Sequence, residues 1–220
     1  MKKIHLLALF LLFAGSVSAQ YYDPNAPRRP RPRRRPQYTN QQQVQVGFEL
    51  GLNTSNIVDA NNSYRGTGVV SGFNGGITFD APIAYNFSFA PEVLYSQKGY
   101  FAETVDGNLT QRYNFIDVPL LAKFRIGPGF NFLIGPQLAF LVSSNTTFDN
   151  GFTVTNQNNY NYSGSNVFVD GVIGLSFDFS PYVDIHTRYA IDLNQTNSNS
   201  TVIPDYRNQV WQVGIGIKLN

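Results

Sequence analysis

Across 220 residues, charged side chains make up only 14% and aromatic ones reach 15%, with 18 Phe, 13 Tyr, 19 Gly and no Cys. So few charges beside so many aromatics exclude a wholly disordered chain and a helical bundle. The missing Cys excludes disulfides, thiolate metal sites and thiol nucleophiles.

The chain opens Met1-Lys2-Lys3, runs through apolar residues Ile4 to Ala14, and reaches small residues ending Val17-Ser18-Ala19 before Gln20. A basic start, a short apolar stretch and a small-residue cleavage site read as a signal peptide over residues 1–19. The apolar stretch is too short to cross a bilayer, which takes about 20 residues. No Cys follows the cleavage site, so a lipid anchor there is excluded.

Residues 20–43 read as a disordered, Arg/Pro-rich periplasmic tail. Arg28, Arg29, Arg31, Arg33, Arg34 and Arg35 alternate with four prolines between Pro27 and Pro36. Proline blocks helix and sheet, and like charges repel, so the segment is expected to be extended and solvated. The charge arithmetic divides the chain sharply. The total is 16 − 14 = +2; without Lys2 and Lys3 it is zero; the tail, with six Arg and Asp23, holds +5; residues 44–220 hold 8 − 13 = −5. Arg clusters suit phosphates and carboxylates. Export by a signal peptide excludes nucleic acid as the natural target. What remains is an anionic lipid head group, peptidoglycan, an acidic protein partner in the periplasm or outer membrane, or no specific partner at all.

From Val44 onward the hydrophobic period is two. Eight segments alternate: 44–53, 73–80, 83–95, 116–126, 130–142, 167–179, 183–192 and 211–219. In the first, Val44, Val46, Phe48, Leu50 and Leu52 interleave with Gln45, Gly47, Glu49, Gly51 and Asn53. Such segments suit tilted membrane strands of about 9–11 residues. Asp80-Ala81-Pro82, Gly127-Pro128-Gly129 and Ser180-Pro181 read as tight turns, whereas stretches near 54–69, 98–112, 143–166 and 193–208 read as long polar loops. The fold class is therefore all-β: an eight-stranded antiparallel up-and-down transmembrane β-barrel over residues 44–220, with short periplasmic turns and long extracellular loops. A soluble sandwich shares the period. Against it stand an apolar face with almost no polar interruption, glycines on the opposite face, and aromatics such as Phe79, Tyr85, Phe130, Phe179, Tyr182 and Trp211 near strand ends, as in interfacial girdles. An even strand number puts both termini in the periplasm, and the product in the bacterial outer membrane as a monomeric barrel.

Several short motifs are familiar in their order and spacing. Glu92-Val93-Leu94-Tyr95-Ser96-Gln97-Lys98-Gly99, Ile116-Asp117-Val118-Pro119-Leu120-Leu121-Ala122-Lys123, Ile134-Gly135-Pro136-Gln137-Leu138 and Arg188-Tyr189 resemble motifs of the PorT-like outer-membrane β-barrel proteins of Bacteroidetes. The resemblance covers residues 44–220. It implies an eight-stranded outer-membrane barrel without enzyme activity or cofactor, in a family whose named member is linked to type IX secretion. Two features depart from the pattern: the chain ends Leu219-Asn220 rather than on an aromatic residue, and the Arg/Pro tail is additional.

The alternation points Glu49, Glu92, Asp117, Lys123, Arg125, Asp170, Asp178, Asp184, Arg188 and Lys218 into the lumen. A barrel of eight strands is filled by its own side chains, so these charges are expected to pair, with Glu92 reaching Lys123 or Arg125. Asp184-x-His186 invites an acid–base reading, but a triad also needs a serine within reach. Loop residues 144–166, rich in Asn with Tyr160 and Tyr162, read as a solvated loop that could meet sugars. No catalytic, cofactor or metal set emerges. The function expected first is a structural or interaction component of the envelope, docking a partner or supporting secretion. A small, porin-like pore comes second and a membrane-embedded enzyme third.

Overall fold

The computed structural model describes residues 43–58, 66–159, 167–193 and 207–219. The proposed signal peptide and tail, and parts of three loops, lie outside them. Every described element is a strand: β1 (Gln45–Val58), β2 (Gly66–Ala84), β3 (Phe87–Glu103), β4 (Asn108–Arg125), β5 (Phe130–Asp149), β6 (Val154–Asn159), β7 (Val167–Asp178), β8 (Val183–Asp192) and β9 (Arg207–Leu219). All pairings are antiparallel, and β1 pairs with both β2 and β9, so the sheet closes on itself.

The alternation decides which way each side chain points. Leu50 and Leu52 are 73% and 70% exposed on the outside, while Glu49 and Asn53 between and beside them are 3% and 0% exposed inside. Phe48, Phe73, Ile77, Ile134, Ile173, Val213 and Ile215 continue the outer apolar surface. An apolar surface this continuous is stable only when lipid rather than water covers it.

The described residues form nine strands, which corrects the expected eight. The addition is β6, a six-residue strand paired only with Ser144–Asp149 at the far end of β5. It escapes a period-two search because Val154-Thr155-Asn156-Gln157-Asn158-Asn159 has no apolar alternation. Two connections are corrected as well. The expected turn at Asp80-Ala81-Pro82 lies inside β2, and the chain reverses at Tyr85-Asn86. Pro82 is tolerated there because β1 begins opposite Asp80 and offers no residue to pair with it, and because the β2–β3 register shifts between Pro82 and Ala84. The expected loop 98–112 is instead mostly strand, with a reversal of only Thr104–Gly107. Likewise β5 runs on to Asp149 and turns through Asn150–Thr153 into β6.

The two other short turns fall near their expected places. Gly129 takes a left-handed φ of 76° after β4, and the Ser180 side chain accepts from the Tyr182 and Val183 amides at 3.2 and 3.1 Å before β8. The described parts of β2 to β5 have 17–20 residues, and β6 stands at the end opposite the tight turns.

Candidate functional site: a charged and layered lumen

Inward-facing residues fill the barrel in layers. At the tight-turn end, Lys123 Nζ lies 2.8 Å from Asp80, and Lys218 Nζ lies 2.5 Å from Asp178 and 3.4 Å from Asp184. Asn131 Nδ2 donates to Asp178 at 2.9 Å and to Ser176 Oγ at 3.2 Å. The Lys and Asp side chains here are partly exposed at the mouth, and Asn131 and Ser176 are buried beneath them.

Deeper in, the Arg188 guanidinium forks toward two carboxylates. Nη1 and Nη2 donate to Glu92 at 2.6 and 2.8 Å and to Glu49 at 3.3 and 3.0 Å. All three side chains are about 95% or more buried. A planar, permanently charged group with paired donors suits this geometry, where a point charge would serve one acid at a time. His186 sits beside them with Nε2 3.8 Å from Glu49 and Nδ1 3.5 Å from Asp184. Each ring nitrogen therefore faces a carboxylate, and among the described residues no hydroxyl is seen bonded to His186 as a nucleophilic triad requires.

A second buried centre gathers around Lys98. Its Nζ is 2.8 Å from Asp117 and 3.5 Å from Asp170, and 4.9 Å from the Phe115 ring centroid. Gln137 Nε2 donates to Asp170 at 2.6 Å, and the Asn208 backbone and side-chain nitrogens donate to Asp192 at 2.9 and 2.8 Å. Apolar layers complete the fill: one of Ala90, Leu121, Leu133, Val172, Ala190 and Val210, another of Ile57, Tyr100, Ala102, Tyr113, Phe115 and Ala139 with Phe168 against it.

Sequence reasoning pointed Glu49, Glu92, Asp117, Lys123, Asp170, Asp178, Asp184, Arg188 and Lys218 inward, and the structure brings them together as described. Arg125 is a correction: as the last residue of β4 it stands exposed at the rim, past the point where parity implies burial. The expected partner of Glu92 is corrected too. Lys123 lies opposite Ser88, four residues along β3, while Arg188 reaches Glu92 across the lumen. Lys98 was missed because its stretch read as loop. Also missed were Asn53 and Ser55, which bridge the register shift in β2: Asn53 Nδ2 donates to the Gln97 carbonyl at 2.9 Å, and Ser55 Oγ bonds the Gly99 backbone at 2.7 and 2.8 Å. Their signal was polar residues at inward parity, continuing the inward side of a strand whose outward residues from Val46 to Leu52 are apolar. Among the described residues, no cluster of His, Asp or Glu could hold a metal ion.

The sequence pattern of the outer membrane protein beta-barrel domain family matches residues 33–220. The chain belongs to that family. It is an outer-membrane β-barrel protein, and the exposed apolar surface is its lipid contact. Among solved structures it is similar to Ail, the attachment invasion locus protein of Yersinia pestis, at 14% identity over 80% of this chain and 99% of Ail, with a TM-score of 0.46. It is similar to Neisserial surface protein A at 14% identity, 80% and 99% coverage and a TM-score of 0.49. For OprG from Pseudomonas aeruginosa the values are 12%, 80%, 94% and 0.36. No curated protein matches the chain.

Proposed function

We propose that this barrel is a non-enzymatic structural or interaction component of the outer membrane whose lumen is closed by its own side chains. The membrane ring is the eight strands other than β6, with both chain ends and the tail in the periplasm after removal of residues 1–19. The observation that carries this reading is the Arg188 fork. One guanidinium spans the lumen from β8 to β1 and β3, bonded to both Glu49 and Glu92, with His186 and Asp184 between it and the tight-turn mouth. A water column wide enough for ions would hydrate those groups rather than leave them about 95% buried. In planar bilayers the barrel is expected to show no steady conductance steps. Stable steps would overturn the plug and favour the pore reading. Such a pore would select cations, because among the described residues inward carboxylates (Glu49, Asp80, Glu92, Asp117, Asp170, Asp178, Asp184 and Asp192) outnumber inward cations (Lys98, Lys123, Arg188 and Lys218) eight to four. The motif resemblance supports a PorT-like member and, through it, a role near protein secretion.

The interaction half of the reading rests on the tail. If fully extended, as its prolines favour, the 21–43 segment would reach about 70 Å, well into the periplasm. Binding back onto the barrel is disfavoured, because the carboxylates at the tight-turn mouth already hold Lys123 and Lys218. An external anionic target fits better: inner-leaflet phosphates, peptidoglycan carboxylates or an acidic protein face. Deleting residues 27–36 should leave barrel folding unchanged, abolish co-purification of that target after crosslinking, and remove its salt sensitivity. If deletion alters neither co-purification nor its salt dependence, the tail is a spacer.

A further inference from the structure

Resting on the reading that the end opposite the tight turns faces outward, we propose that the edge of β6 to which no described residue pairs joins antiparallel with β6 of a second copy in an apposed membrane, making the barrel a homotypic adhesion element. Among the described residues β6 has one partner strand, β5. The turn fixes which backbone groups are left over. The Asn150 N–H donates to the Thr153 carbonyl, so alternation directs the N–H and C=O groups of Thr155, Gln157 and Asn159 toward β5. Those of Val154, Asn156 and Asn158 point away from it.

An edge of this kind is a template for another strand unless Lys, Pro, a bulge or a covering element guards it. Here none of the guarding residues is present: Val154–Asn159 contains no charge and no proline, and between Val142 and Asn159 the single charge is Asp149. The side chains extend the ladder already running across the hairpin. Asn145 donates to Asn158, and Thr147 Oγ1 donates to Asn156 Oδ1 at 2.8 Å. The N–H groups of the Asn156 and Asn158 amides donate to no described residue. Neutral amide ladders are self-complementary, which selects an identical strand as the occupant. In the register that matches outward groups to outward groups, Val154–Asn158 overlap: Asn156 meets Asn156 of the other copy, and Val154 meets Asn158.

Symmetry decides where that copy sits. A two-fold axis along the membrane normal, relating copies in one membrane, crosses two tilted strands at twice their tilt. A two-fold axis in the membrane plane makes them antiparallel at any tilt, with the same edge presented by each. The second form requires copies facing each other from two membranes. A six-residue strand pair buries far less than the roughly 1,200 Å² of a stable interface. The contact is therefore weak singly and effective only as many contacts between surfaces.

The test uses the full mature chain in lipid vesicles. Because the chain has no Cys, Phe152→Cys, at the exposed turn before β6, reports by labelling with a membrane-impermeant maleimide that the hairpin is outside. Protein-bearing vesicles are expected to cluster with one another, seen as turbidity, and not with protein-free vesicles. Asn156→Pro removes an outward N–H and spares the ladder to β5; the pair Thr155→Lys and Gln157→Lys places repelling charges on both copies. Each should slow clustering by about tenfold or more, since each contact loses two backbone hydrogen bonds or gains like charges, with co-flotation and heat-modifiable gel mobility unchanged. Wild-type vesicles mixed with Asn156→Pro vesicles should cluster only among the wild type. Labelled, inserted protein that does not cluster, clustering indifferent to both variants, or clustering with bare lipid overturns the proposal. Protein that floats with vesicles but takes no label at position 152 overturns the orientation beneath it and the proposal together.

Discussion

Replacing Arg188 with Met is expected to destabilise the barrel by about 3–5 kcal/mol, the usual cost of removing one member of a buried ion pair. The reason lies in what stays behind. Glu49 and Glu92 both direct carboxylates at the guanidinium, and at 3% and 4% exposure neither can recover its lost partner from water. Arg188→Lys should give an intermediate loss, because an ammonium cannot serve both acids with paired donors. Adding Glu49→Gln and Glu92→Gln to Arg188→Met should restore more than half of the loss, since amides are much cheaper to bury than unpaired charges. Lys123→Met, at the more accessible mouth, should cost less than Arg188→Met. Urea unfolding in vesicles ranks the variants. Equal losses at Arg188 and Lys123, or no recovery in the triple variant, would mean that the fork does not organise the lumen.

The membrane-spanning part of this fold was legible because two solvents act on it at once. Lipid outside and polar packing inside impose a strict alternation, and Val46, Phe48, Leu50 and Leu52 against Gly47, Glu49, Gly51 and Asn53 record it. Where lipid no longer touches the wall, the alternation loses its contrast. Lys98 to Arg112 mixes polar and apolar residues on both faces and Ser143 to Asn159 is mostly polar on both, so they read as loop although they are paired backbone for most of their length. Proline misled for a related reason. Pro82 signals a turn by composition, yet it sits in a strand at a position that β1 does not reach. The inward charges were legible one by one from parity, but their partners were not. Arg188 bonds Glu92 and Glu49 at separations of 96 and 139 residues. Those distances are set by ring closure and strand stagger, which neighbouring-strand reasoning does not contain.

Arginine at Ile134 or Leu120 is expected to cost about 2–4 kcal/mol of folding stability in a bilayer, while arginine at Phe130 costs about 0–1 kcal/mol. The difference is one of depth. Phe130, Phe177 and Phe179 form a contiguous ring stack with centroids 4.6 and 5.0 Å apart, and Phe87 lies 5.1 Å from Phe124, all at the tight-turn end. Aromatics so placed mark the interface, where a charged group still finds water. Ile134 is four residues further along β5 than Phe130. At about 3.3 Å per residue and a tilt of about 40°, that is about 10 Å into an apolar band about 25 Å tall, close to its middle. Leu120, five residues before the end of β4, lies at a similar depth on the same outer face. An arginine there has too far to reach for either interface. Folding into vesicles, followed by heat-modifiable gel mobility and urea titration, measures all three variants on one scale. A gradient from Phe130 to Ile134 and Leu120 is the signature of a lipid-facing wall. If arginine at Ile134 is no more costly than at Phe130, the outer surface is not immersed at the depth the aromatic ring implies.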